Sequence, residues 1–259
     1  MNKNTVALAG ASVSVNPSSR AADQEAALDR AFEILKSYDY GASRGILMPI
    51  DEAVRASLGN AAAQGQLADR LAVLLGTHAP VPAKEYICLK LSLIGSSRSV
   101  PALAALLVDS DLAYSARNAL ESMPCPEAVA ALRDALSRLS GLPRLGVIQS
   151  LGSRRDTQCI SALTALLSDA DPQVVHAAVA ALGDIGTPES ARRLREFDPK
   201  TPASRSVLDD ACLVCAEQLL NKGKNAEAEE IYHAMTDPSK PKLVQLAARL
   251  GLDRVAGKD

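Results

Sequence analysis

The chain has 259 residues, 47% of them hydrophobic but only 3% aromatic and none of them Trp, so its apolar content is mostly Ala, Leu and Val. Such a palette suits closely packed helices and suits strands poorly, because sheets favour β-branched and aromatic side chains. Lys and Arg number 28 against 30 Asp and Glu, a net charge of −2, which argues against a protein whose main partner is a nucleic-acid backbone.

Residues 1–22 read as a flexible tail rich in Ser and Ala. Lys3 ahead of the weakly apolar run Val6 to Val15, followed by Ser19-Arg20-Ala21, makes a marginal secretory pattern that Gly10, Ser12 and Ser14 dilute. A cytoplasmic location is favoured and an exported one stays open. No run reaches the roughly 20 apolar residues of a membrane span. Five cysteines, Cys88, Cys125, Cys159, Cys212 and Cys215, are an odd set in a chain that needs no staples, and read as small buried hydrophobes.

Ordered structure is predicted from Asp23, which caps a helix through Ile34-Leu35. The segment Tyr38 to Pro49 breaks it. Ile50 to Leu58 and Gln66 to Leu75 read as further helices parted by Gly59-Asn60 and Gly65, and the whole of 23–69 is expected to be an N-terminal cap. Helices are then predicted over Ala83 to Ile94, Val100 to Val108, Leu112 to Met123, Glu127 to Leu139, Pro143 to Leu151, Ile160 to Leu167 and Pro172 to Ile185. Pro101, Pro143, Pro172 and Pro188 fall in first turns, where a missing N–H removes no bond, and Gly95, Gly152, Gly183 and Gly186 read as stops. Beyond the turn-rich link Phe197 to Pro202, helices are expected over Arg205 to Leu220, Ala226 to Met235 and Lys242 to Leu250, forming a C-terminal cap over 198–256.

Two leucine tracks run through these elements. Leu74, Leu103, Leu132, Leu163 and Leu194 recur at steps of 29, 29, 31 and 31, and Leu91, Leu120, Leu151, Leu182 and Leu213 at steps of 29, 31, 31 and 31. A period of about 30 residues holding two helices is the pattern of a solenoid, in which no unit buries its own apolar face and stacked neighbours complete the core.

The words VPALAALLVDSDLAYSARNAL (Val100 to Leu120) and ISALTALLSDADPQVVHAAVAALGDIGTPES (Ile160 to Ser190) resemble HEAT repeats of the short bacterial kind also found in phycobilin lyases. The match spans roughly 70–197. It implies an all-α solenoid, HEAT/ARM-like, a right-handed superhelix of antiparallel helix pairs whose second helices line a concave surface. The family places an Arg where His176 stands, so an Asp–Arg ladder between units is expected to be incomplete. AEQLLNKGKNAEAEEIYHAM, from Ala216 to Met235, looks like half of a tetratricopeptide unit, and SYDYGASRGILMPIDEAV, from Ser37 to Val54, looks like the lead-in of stand-alone HEAT proteins, some of which are exported.

Catalytic chemistry finds no carrier. His78, His176 and His233 lie far apart in sequence without triad or ligand spacing, and the phosphate-loop, nucleophile-elbow and zinc-protease patterns are absent. Cys212 and Cys215 form a CxxC within a helix, where packing is favoured over redox or metal work, and Cys125 is expected to be the most exposed thiol. Arg133, Arg138, Arg144, Arg154 and Arg155, with Arg192, Arg193 and Arg195, make basic stretches that Asp134, Asp156, Glu189 and Glu196 offset.

With Leu91, Leu120, Leu151 and Leu182 inward, the positions two and six residues earlier face outward, at about 100° per residue. Two earlier are Leu89, Asn118, Gln149 and Ala180; six earlier are Glu85, Tyr114, Leu145 and His176. The expected activity is a non-enzymatic scaffold that binds a partner protein along the concave face of the solenoid through Glu85, Tyr114, Asn118, Gln149 and His176, with no cofactor or metal. A bilin-lyase-like accessory protein and a nucleic-acid binder are the alternatives.

Overall fold

The computed structural model describes residues 17–258, so the secretory pattern over Val6 to Val15 lies outside the described residues. Among them the chain is all-helical, with fourteen α-helices and no strand. In chain order these are α1 (Pro17–Leu35), α2 (Met48–Ser57), α3 (Ala61–Leu75), α4 (Val81–Ile94), α5 (Val100–Ala105), α6 (Ala113–Ser122) and α7 (Pro126–Leu136). They continue as α8 (Gly141–Ser153), α9 (Ile160–Leu166), α10 (Pro172–Ile185), α11 (Pro188–Glu196), α12 (Pro202–Asn221), α13 (Asn225–Met235) and α14 (Lys242–Val255).

Each odd-numbered helix packs against the even-numbered helix that follows it, giving seven hairpins in sequence. Even helices then form a layer, α4 on α6, α6 on α8, α8 on α10, α10 on α12 and α12 on α14, while α3, α5 and α7 and the pair α9 and α11 make the other. This is a HEAT-like solenoid. Its core runs along the stack as one sheath of leucine and alanine: Leu103, Leu132, Leu163, Leu91, Leu120, Leu151 and Leu182 are wholly buried.

The punctuation works as capping chemistry predicts at most starts. Pro101, Pro143, Pro172 and Pro188 all fall in first turns, and Asn60, Asp171, Thr187 and Thr201 accept from backbone N–H groups of the turn they open. Gly186 ends α10 in the left-handed region, at φ 54°.

Three glycines read as breaks have another role. Gly65 lies inside α3, Gly152 inside α8 and Gly183 inside α10. A Cβ at Gly152 would stand 2.9 Å from Ala181 Cα, and one at Gly183 would stand 2.7 Å from Ala211 O. At Gly152 and Gly183 the missing Cβ lets neighbouring even helices touch backbone to backbone, while at Gly65 it leaves room for the Arg98 side chain, and each helix continues through its glycine. Two boundaries also differ: α1 starts at Pro17, upstream of Asp23, and α14 runs on to Val255.

The second leucine track ends one unit early. Leu213 is only half-buried, and Cys212, Cys215, Ala216 and Leu219 fill the core of α12 in its place. The glycine contacts show the cause: Gly152 meets the residue 29 positions on, whereas Gly183 meets the residue 28 positions on. Helix α12 is therefore seated one residue out of the earlier register, which turns Leu213 to the edge of the core.

The first two hairpins are joined by a buried ionic node. Lys90 Nζ of α4 lies 2.6 Å from Asp51 Oδ1 of α2, and the Tyr86 hydroxyl donates to the same oxygen at 2.7 Å. Lys90 Nζ also stands 4.8 Å from the centroid of the Tyr86 ring, with the Arg44 guanidinium at 5.7 Å. Burial disfavours the charged carboxylate of Asp51, but the hydrogen bonds from Lys90 and Tyr86 and the charges of Lys90 and Arg44 outweigh it and hold the group below its ordinary range. The Tyr86 phenol is pushed well above its usual range by burial and by the Asp51 carboxylate.

Two measurements of stability check this architecture. In urea titrations Leu182→Ala is expected to cost about 2–5 kcal/mol from the cavity left, and Gly183→Val about 1–3 kcal/mol from forcing α10 off α12. Asp51→Asn should cost about 3 kcal/mol at neutral pH, since Lys90 is then buried without a counter-charge. A depressed carboxyl contributes fully above its unfolded pKa of about 3.8 and loses that contribution as pH falls through its lower folded value. The gap between wild type and Asp51→Asn should therefore close only in the acid limb below that pH. A gap constant to the acid end would mean that the pair contributes nothing.

Candidate functional site

The outward positions of the even layer lie where helical geometry puts them. On α4, Leu89 is exposed and Glu85 half-buried; on α6, Tyr114 is 70% exposed and Asn118 half-buried; on α8, Gln149 is exposed and Leu145 half-buried; on α10, Ala180 is exposed and His176 half-buried. Because these helices pack side by side, the residues form two parallel rows across the layer. Tyr114 carries the Arg117 guanidinium 5.3 Å from its ring centroid. His176 is engaged from within, its Nε2 lying 2.9 Å from Ser204 Oγ at the start of α12. Four of the five predicted residues, Glu85, Tyr114, Asn118 and Gln149, thus sit on the outer face without an anchoring bond to the next hairpin; His176 is a joint between α10 and α12.

Two side chains on this face were missed. Leu93 of α4 and Leu142 of α8 are both exposed. Leu93 follows the buried Leu91 by two positions, about 200° around the helix, so it lies as far from the core as Leu89 does. Reading both sides of each track leucine finds it. Leu142 precedes Pro143 in the first turn of α8, outside the interval taken as helical from the sequence.

The basic stretches do not form a free cationic groove. Arg133 bridges to Asp156 at 2.8 Å, Arg144 to Asp169 at 3.0 Å, and Arg192 and Arg193 share Glu189 and Glu196. Arg195 pairs with Glu230, and Arg138 Nε donates to Asp134 O at 3.3 Å. Arg154 donates to Glu121 O at 2.8 Å and to Met123 O, closing the carbonyl end of α6. Of an Asp–Arg ladder the rung Arg144–Asp169 is present, and at the next unit His176–Ser204 stands in its place.

No thiol of the helical CxxC is poised for chemistry. Cys212 and Cys215 are buried, and burial pushes their thiols up to about 11 and about 12. Cys125, at the start of α7, is the least buried of the five cysteines, as expected. His78 is exposed, and exposed His233 lies 3.5 Å from Glu229 one turn earlier. Among the described residues no three His, Cys, Asp or Glu side chains converge as a metal-binding group. Nor is any helix among them long and apolar enough to cross a membrane.

Two open clefts flank the layer. One, of about 520 Å³, lies between α1, α2 and α3 against Leu28, Ala53, Leu67 and Arg70. The other, of about 630 Å³, lies beside the His176–Ser204 joint, between Thr164, Asp169, Val175, Phe197 and Thr201.

Residues 129–207, from α7 into the second turn of α12, match the family model for HEAT repeats. That segment therefore carries HEAT repeats. Among solved structures the chain is similar to human deoxyhypusine hydroxylase in complex with glycerol, at 14% identity and a TM-score of 0.36, over 93% of this chain and 100% of that one. A likeness of that degree transfers no property. No curated protein matches the chain.

Proposed function

We propose that this protein is a non-enzymatic scaffold that binds a partner protein across the outer face of its even-numbered helices. The observation that carries the reading is a ridge of solvent-exposed apolar and aromatic side chains on successive even helices. Leu89 and Leu93 stand on α4, Tyr114 on α6, Leu142 on α8 and Val214 on α12, with Gln149 and Ala180 between them. Aromatic and aliphatic anchors with few charges among them are the composition of a protein interface core, and stacking regular helices presents them at fixed spacing without ordering cost on binding. Glu85 and Asn118 then belong to the polar rim. The nucleic-acid alternative asks for unpaired cations along a groove, and of the arginines in the two basic stretches all but Arg155 are engaged by carboxylates or helix carbonyls.

Two experiments test the reading. Affinity capture from the native cell, followed by mass spectrometry, is expected to return one protein whose retention drops at least tenfold with Leu89→Asp plus Tyr114→Ala, while circular dichroism of the variant stays that of wild type. Equal retention by the variant would overturn the assignment of this face. On heparin, the chain should flow through at about 50 mM salt; retention released by a steep salt gradient would favour nucleic acid, and a bilin absorbance shift on titration would favour the lyase alternative.

A further inference from the structure

Helix α14 carries an apolar face that no other helix of the described residues covers. Helix α14 buries Val244, Ala248 and Gly251 against α12 and α13, with the Tyr232 ring laid directly on Gly251. On the opposite side it presents Leu243, Leu246 and Leu250, at 80%, 54% and 57% exposure. These follow the i, i+3, i+7 spacing of a helix-pairing seam, with Ala247 beside them.

The charges beside this seam are arranged to match their own reversal. Lys242 and Asp253 stand at opposite ends of α14, eleven residues apart, and so within about 20° of the same flank. Both are exposed, and neither has an ion-pair partner among the described residues. The opposite flank is already closed, because Arg254 reaches Glu217 of α12 at 2.6 Å. Arg249 stands on the same flank as Lys242, about 20° beyond it and about 90° from the seam centre.

We propose that α14 pairs with α14 of a second copy of this chain, antiparallel and about a two-fold axis. Such an axis returns each flank to the same flank of the partner with the chain direction reversed. Leu243 of one copy then meets Leu250 of the other about a centre between Leu246 and Ala247. In that register Lys242 of each copy lies about two residues, or about 3 Å, along the axis from the level of Asp253 of its mate, within reach of the lysine side chain, so that two ion pairs form from four charges left unpaired in the monomer. One helix pair is at the small end of interface sizes, so the dimer belongs to the transient class.

Sedimentation velocity of the purified full chain over about 10–500 µM is the test, that being the range of weak interfaces. The mass is expected to rise from 27.1 kDa toward twice that value. Leu246→Glu and Leu250→Glu, at exposed positions where folding is not at risk, should each hold the chain monomeric. Lys242→Glu and Asp253→Lys should each raise the dissociation constant about fivefold, and the exchanged pair Lys242→Glu with Asp253→Lys should restore it, since the reversed charges again face each other. A wild type monomeric throughout would overturn the proposal, as would masses climbing past two chains, which mark head-to-tail assembly. Failure of the exchanged pair to recover would overturn the two-fold register. The measurement does not touch Leu89 or Tyr114, so it stands or falls separately from the scaffold reading.

Discussion

Every feature of this protein follows from one constraint: no hairpin can close its own hydrophobic face, so each depends on close seating against the next. Leu91, Leu103, Leu120, Leu132, Leu151, Leu163 and Leu182 are the buried product of that seating, and they are wholly inaccessible only because neighbouring helices cover them. What permits the close approach is the absence of a Cβ at Gly152 and Gly183, set against Ala181 and Ala211 of the following even helix. Small residues cost helix propensity, about 1 kcal/mol for each Gly relative to Ala. The layer accepts that cost because a larger side chain at either point would hold two helices apart along their length.

Polar chemistry is used to fix register where apolar contact alone would leave it loose. A leucine–alanine interface slides easily, whereas Asp51 with Lys90, Arg133 with Asp156, and Arg144 with Asp169 each meet in one arrangement only. Two cations serve the helix ends as well. Arg154, following α8, closes the carbonyl end of α6, and Lys222, following α12, donates to Ile185 O and Gly186 O at the end of α10 at 2.9 Å and 2.8 Å. In both places the end of one even helix caps the even helix before it. That accounts for much of the basic character that composition alone leaves open to a nucleic-acid reading.

The fold was legible because its period is written twice, in leucine spacing and in proline placement, and both record local helix geometry. Pro172 to Ile185 needed no correction for that reason. What resisted reading depends on contact between helices. Gly65, Gly152 and Gly183 look like breakers in a single sequence, since nothing local distinguishes a glycine that ends a helix from one that admits a neighbour. Leu213 keeps the period yet lies only at the core's edge, because the one-residue shift of α12 is decided by where Ala211 lands on Gly183. The candidate face was legible as a direction, from 100° arithmetic, but not as a set of free side chains. His176 falls in the right row, yet its bond to Ser204 is set by a turn 28 residues later.

The same arithmetic that hides the leucines decides what is left outside, and it leaves two surfaces of different kinds. Along the flank of the even layer, exposed positions are simply those that stacking does not use, so their composition is free to follow a partner; Leu89, Leu93 and Tyr114 are informative because solubility alone would have made them polar. On α14 the situation is reversed: the face turned away from α12 and α13 is one on which another helix could stack, and Leu243, Leu246 and Leu250 leave it apolar. An open end built from one repeated pattern would propagate without limit, which is how solenoid-like contacts make fibres. In the proposed pair Lys242 and Asp253 work against that outcome, since charges that are complementary under reversal favour a closed pair over a growing chain.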